Sequence, residues 1–214
     1  MDKGQATEFV KKARENSKKR NFSQTFDLIF LPKDLDKAFK LDFFTDFTQT
    51  RGRTVKVCAL VGPELQEQAK ANCNTLVLHD DFSRYAKDAK LVKKLAKEHD
   101  YFIAQGNIMT DVAKTFGRVL GTRGKMPNPK SGCVVLPNAN LKPLVAALQR
   151  RVRVATNKSQ FVQMLFGTEA MEDETLADNL MTLFNAIISN LPQGTNNFKK
   201  AYIKLTMGKP VEVK

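Results

Sequence analysis

The apolar positions of this chain change period twice, and the changes divide it. Residues 5–16 place Ala6, Phe9, Val10 and Ala13 on one helical face, with Lys and Arg opposite. From Phe22 the period drops to two. Phe22, Gln24, Phe26, Leu28 and Phe30 alternate with Ser23, Thr25, Asp27 and Ile29, which predicts a half-buried strand ending at Pro32. A second alternation, Leu41, Phe43, Thr45 and Phe47, reads as its antiparallel partner. The stretch from Thr48 to Arg53 has no apolar period and predicts a crossing between domains.

Beyond it the apolar runs become continuous. Val55 to Val61 reads as a strand covered on both faces, and Gly62-Pro63-Glu64 opens a helix with proline in its first turn. Short buried strands are predicted at 75–78 and 101–104, with a basic helix over 88–99 between them. Asn107 is placed to cap a helix through Phe116. A loop is expected over 121–132, then a last helix from Asn140 and Pro143 to about Gln149. Strands alternating with helices imply a parallel sheet clothed on both faces, a Rossmann-like three-layer α/β block over 51–149.

After Arg150 the two-residue period returns. Val152 and Val154 begin a strand, residues 157–160 supply turn chemistry, and 161–166 form a second strand. Asp173 is placed to cap a long helix with a Leu176, Leu180, Leu183, Ile187 stripe. Residues 198–206 and 210–213 close the chain as a strand pair around Met207-Gly208-Lys209.

Charge narrows the choice of partner. Thirty-five Lys and Arg against 22 Asp and Glu leave +13, and the pI is near 9.7. Such an excess suits a polyanion, since each neutralised phosphate releases condensed counterions. Without a basic amphipathic helix bearing an aromatic face, nucleic acid fits better than a membrane surface. No apolar run approaches the roughly 20 residues of a membrane span, and Met1-Asp2-Lys3-Gly4 does not open a secretory signal. A cytoplasmic protein without a membrane partner is expected. The three cysteines, Cys58, Cys73 and Cys133, lack CxxC spacing and suit free thiols in a reducing compartment. With only His79 and His99 besides, no zinc spacing exists, and no metal or cofactor is expected.

Two short segments at opposite ends carry the most specific signal. One is Lys18-Lys19-Arg20-Asn21-Phe22-Ser23-Gln24-Thr25; the other is Tyr202-Ile203-Lys204-Leu205-Thr206-Met207-Gly208-Lys209-Pro210. Together with Gly117-Arg118-Val119-Leu120-Gly121-Thr122-Arg123-Gly124-Lys125-Met126-Pro127-Asn128-Pro129-Lys130 between them, they resemble the family of large-subunit ribosomal proteins numbered one, in its archaeal branch. That family forms the mobile stalk beside the tRNA exit site. The likeness runs from about Phe9 to Val213, with Thr122 where family members commonly have proline.

The resemblance implies a discontinuous α+β domain of split β-α-β type, from 1–50 and 150–214, carrying the 51–149 block as an insertion. It implies hinges near Thr50–Gly52 and Gln149–Arg150. It also sets Phe22, Ser23, Gln24 and Thr25 beside Thr206, Met207 and Gly208 on one rRNA-binding surface. Short hydroxyl and amide groups can meet 2′-hydroxyls and phosphates there, and a glycine admits close approach. The bland alternative is an ordinary hairpin with Phe22 and Met207 buried and a positive-φ glycine. Arg151, Arg153 and Lys158 are added as phosphate contacts, since alternation puts both arginines on one side of a strand; an edge guarded by charge is the alternative. Arg118, Gly121, Arg123, Gly124 and Lys125 form a secondary loop, phosphate-contacting or structural. The lysines at 87, 90, 93, 94 and 97 read first as a solvated helix face.

Further implications are residence in the large ribosomal subunit, a monomeric free state, contact with exit-site tRNA and help with its release. Repression of translation through an mRNA site of its own operon is implied too. Two other classes stay open: a generic basic RNA-binding module, and a nucleotide-dependent enzyme using the α/β block. Against the enzyme, no GxxxxGK[ST] is present, and Asp34, Asp36, Asp42, Asp46 and the His79-Asp80-Asp81 run form no catalytic or metal set.

Overall fold

The computed structural model describes residues 2–35, 39–156 and 161–213. Its chain falls into two compact units, Met1–Arg53 with Arg150–Lys214, and Thr54–Gln149.

In the first unit, helix α1 (Lys3–Glu15) leads to strand β1 (Thr25–Pro32). Strands β8 (Val162–Thr168) and β9 (Phe198–Leu205) flank β1, both antiparallel to it, and are joined by helix α7 (Asp173–Ser189). The two outer strands therefore run parallel with β1 in the slot between them, which is a split β-α-β arrangement. Strand β10 (Val211–Val213) extends the edge beside β9. Alternation explains the packing. Phe26, Leu28 and Phe30 point into the core with Val162, Met164, Phe166, Ala201, Ile203 and Leu205, against Ala6, Val10 and Ala13 of α1 and the apolar stripe of α7. Apolar burial of this kind contributes about 25 cal/mol per Å². The alternation from Leu41 to Phe47 contains strand β2 (Asp42–Asp46), but its partner is β7 (Arg151–Ala155), not β1. Both edges of β1 are already taken by β8 and β9, so no ladder remains for β2.

The second unit is a parallel sheet, in the order β4-β3-β5-β6, of β3 (Val57–Val61), β4 (Thr75–Leu78), β5 (Tyr101–Gln105) and β6 (Val134–Val135). Residues of β3 divide by parity between two cores. Cys58 and Leu60 join a cluster with α3 (Phe82–Lys87), α4 (Ala89–Glu98) and α5 (Met109–Thr122). Val57, Ala59 and Val61 join another with α2 (Gln66–Asn72) and α6 (Leu141–Leu148). A strand buried on both faces must be apolar throughout, as the continuous run requires.

Several local readings are corrected. Helix α5 runs past the expected end at Phe116 to Thr122, taking in the first residues of the glycine-rich motif, because Val112, Phe116 and Leu120 bury one face. That burial outweighs the roughly 1 kcal/mol helix cost of each of Gly117 and Gly121. Asn107 lies in a short 3-10 turn and caps nothing. Glu172, rather than Asp173, holds the N-cap position of α7. The cysteines are free; burial pushes the Cys58 thiol upward and the Cys73 thiol up to about 11. No helix among the described residues is long and apolar enough to cross a membrane.

Candidate nucleic-acid interface

The hairpin of β9 and β10 turns at Leu205-Thr206-Met207-Gly208, closed by the Gly208 N–H donating to Leu205 O at 2.9 Å. This turn is clasped to the start of β1. Thr206 N–H donates to Thr25 O at 3.0 Å, and Thr25 N–H donates to Thr206 Oγ1 at 3.0 Å. The two hydroxyls lie 2.9 Å apart. Opposite ends of the sequence thus form one continuous surface.

Gln24 is the brace beneath it. Its side-chain amide is fully buried: Nε2 donates to Lys18 O and Ser17 Oγ, both at 3.2 Å, while Oε1 accepts from the Met207 N–H at 3.2 Å. A buried amide so engaged cannot be an RNA contact, and the expectation for Gln24 is corrected. Its parity with Phe26 and Leu28 drives it inward, where it ties residues 17–18 to the turn. Gly208 packs closely in the same region. Its φ is not positive; a Cβ there would stand 3.2 Å from Ser17 Cβ and 3.3 Å from Leu205 Cβ. Close packing, not a left-handed backbone, favours glycine there.

Phe22 and Met207 are 52% and 60% exposed, where a plain hairpin would bury them. Large apolar side chains held out to solvent on otherwise polar segments, Phe22 before β1 and Met207 on the turn, suit a contact surface. Phe22 also lines a concavity of about 460 Å³ with Lys19, Arg20, Asn21, Ser23, Glu169 and Ala170. The strand expected from Phe22 begins only at Thr25, which leaves residues 19–23 as an exposed basic segment leading into β1.

Arg14, Glu169 and Ala170 were not legible from sequence. Arg14 donates from Nε to Asp173 Oδ1 at 2.7 Å, from Nη1 to Glu169 O at 2.7 Å, and from Nη2 to Met171 O at 2.5 Å. It also stacks over Phe26, 5.3 Å from the ring centre. One guanidinium therefore fixes the 169–171 loop against α1. A bulge in β8 at Phe166 shifts its register with β1 shortly before this loop.

Other expected contacts resolve differently. Arg151 grips Asp46 with Nε and Nη2, both at 2.7 Å, and Arg153 grips Asp42 at 2.7 and 2.8 Å. The β2–β7 register places Asp46 directly opposite Arg151, so a phosphate would have to displace carboxylates already seated in both forks. Lys158, with the 157–160 turn, lies outside the described residues.

In the second unit, Lys125 Nζ donates to Ala96 O and His99 O at 2.9 and 2.6 Å, closing the C-terminus of α4 rather than facing a ligand. Arg118 and Gly121 stand in α5, not in a loop. Arg118 and Arg123 line a groove of about 450 Å³ with Lys93, Ala89, Val119 and Thr122. Gly124 has a φ of 64° and follows the helix end.

Beyond the carboxyl ends of β3 and β5, where an α/β sheet accepts a nucleotide, Gln105 fills the crevice. It is fully buried, accepts the Gly62 N–H at 2.9 Å and donates to Glu64 at 2.6 Å. A carboxylate at this helix start opposes phosphate. Among the described residues no cluster of three or more metal-ligating side chains occurs.

Residues 11–209 match the family described as "Ribosomal protein L1p/L10e family". The chain is 44% identical over 209 residues to the large ribosomal subunit protein uL1 of Nanoarchaeum equitans, covering 95% of this chain and 97% of that one. It is 38% identical to the uL1 protein of Methanothermococcus thermolithotrophicus (100% and 99% covered) and 35% identical to that of Methanocaldococcus jannaschii (100% and 97%). With likeness spanning both units and both terminal segments, the chain belongs to the ribosomal protein L1p/L10e family.

Proposed function

We propose that this protein is a non-catalytic constituent of the large ribosomal subunit that grips large-subunit rRNA through the clasped ends of its chain. The observation that carries the reading is two exposed apolar side chains at the clasped chain ends: Phe22, in the basic segment leading into β1, and Met207, on the turn whose N–H Gln24 accepts from below. Rigid polar backbone, an apolar floor and neighbouring cations suit a sugar-phosphate surface. Names borne by the archaeal relatives support the same assignment. Within a cytoplasmic ribosome, the second unit assists release of exit-site tRNA, and the same rRNA-shaped cradle represses the protein's own mRNA. The free protein is a monomer.

The test is competitive filter binding at fixed salt. A labelled rRNA stalk fragment should be displaced by unlabelled stalk fragment and by leader RNA of its own operon, and not by an unrelated duplex. Equal displacement by all three would leave only a generic basic RNA binder.

A further inference from the structure

We propose that the concavity beside Phe22 reads a single unpaired guanine, with Glu169 as the base-reading acceptor. The proposal rests on the RNA-binding reading above and adds to it a specificity determinant.

Glu169 is an odd residue for a surface meant to hold phosphate. It is half-buried, and its backbone is fixed twice: its N–H donates to Gln24 O at 2.8 Å, and its carbonyl accepts from Arg14 at 2.7 Å. Its carboxylate is fixed once, Oε2 accepting the Gln24 N–H at 3.3 Å. Oε1 has no partner among the described residues, although Lys19 and Arg20 line the same concavity. The carboxylate is thus held in place, unneutralised by the nearest cations, with one oxygen open.

The other walls supply what a nucleotide needs. Phe22 offers an exposed aromatic ring on which a base can stack. Lys19 and Arg20 can meet the flanking phosphates. A space of about 460 Å³ accommodates one base with its sugar. An ionised carboxylate accepts and cannot donate, so it selects a base edge that presents N–H groups. Guanine alone presents two adjacent donors, N1–H and the N2 amino group, on its Watson–Crick edge. That edge is available only in an unpaired nucleotide, the form in which RNA sequence is usually read.

The sign of the mutational effect separates this from a passive carboxylate. If Glu169 touches no base, removing its charge strengthens binding to every RNA by relieving repulsion. If it reads guanine, its loss weakens binding and erases a base preference.

The experiment selects from a hairpin library with randomised loops, using wild-type protein, and then replaces each guanine of the selected loop with inosine, which lacks the N2 amino group. One inosine should cost wild type about tenfold in affinity and Glu169→Gln less than twofold, since a good base contact discriminates by about 1–3 kcal/mol. Glu169→Gln keeps an oxygen for the Gln24 N–H, and its melting temperature should match wild type. The assignment is overturned if Glu169→Gln binds the selected loop as tightly as wild type or more so, or if the inosine penalty survives the substitution. Failure of the broader RNA reading looks different: wild type then enriches no loop, which overturns both.

Discussion

At the scale of single residues, the clasp between the two chain ends leans on a side chain that never reaches the surface. Gln24→Leu preserves volume but leaves the Met207 N–H and Lys18 O without partners. The expected loss is about 1–3 kcal/mol of stability, together with weaker RNA binding, seen by urea titration and filter binding. A variant that melts normally and binds normally would show that the brace is dispensable. Met207→Asp tests the exposed partner. With Met207 60% exposed the fold should tolerate it, while the new charge repels phosphate, so affinity should fall about tenfold or more at unchanged melting temperature. The sequence placed Gln24 on the same parity as Phe26 and Leu28, which argued for burial. Its polarity argued for contact, and only the fold decided for burial. Arg14 gave no signal at all, because its partners at 169–173 are brought to it by the folded sheet and not by spacing.

Among elements, periodicity located strands and helices well and pairings poorly. The β2 alternation was legible, but its pairing with β7 was not, since register with a strand about a hundred residues away leaves no local trace. For the same reason Arg151 and Arg153 read as free cations: the carboxylates of Asp46 and Asp42 reach them only across that ladder. The glycines of α5 misled in the opposite direction, because punctuation residues outweighed a burial stripe of one residue per turn. Two predictions belong to this scale. Arg14→Lys removes the three-way fork holding the 169–171 loop to α1; with the pair partly exposed, the cost should be about 1–2 kcal/mol. Protection of the 169–171 amides from hydrogen exchange should fall with it, and unchanged protection would assign the loop's order to other contacts. Lys94→Ala, on the exposed face of α4, should change rRNA affinity less than twofold, because that helix belongs to the second unit. A tenfold loss would move the rRNA footprint onto α4.

For the whole molecule, the topology makes a physical statement about independence. Each unit closes its own core: the first unites α1, α7 and the antiparallel strands in one apolar cluster, and the second holds two clusters on either side of its parallel sheet. The ends of the second unit are fastened to each other, Val55 N–H donating to Gln149 Oε1 and Gln149 Nε2 donating to Val55 O, both at 2.9 Å. In the first unit the corresponding strand ends meet where the Phe47 N–H donates to Arg150 O at 3.0 Å. An insertion with adjoining ends, carried by a host whose flanking strands already pair, can be removed without opening either core. Replacing residues 54–149 with a short glycine linker should therefore leave a cooperatively folding protein that keeps Gln24, the Thr25–Thr206 clasp and the 169–171 loop. Its affinity for the rRNA stalk fragment should lie within about threefold of the full chain, with a shallower dependence on salt, because any phosphates met by the second unit no longer release counterions. The excised unit should fold and bind the fragment only weakly. If instead the host unit folds but loses its affinity, the RNA is held by both units together, and the clasped chain ends are only part of the grip.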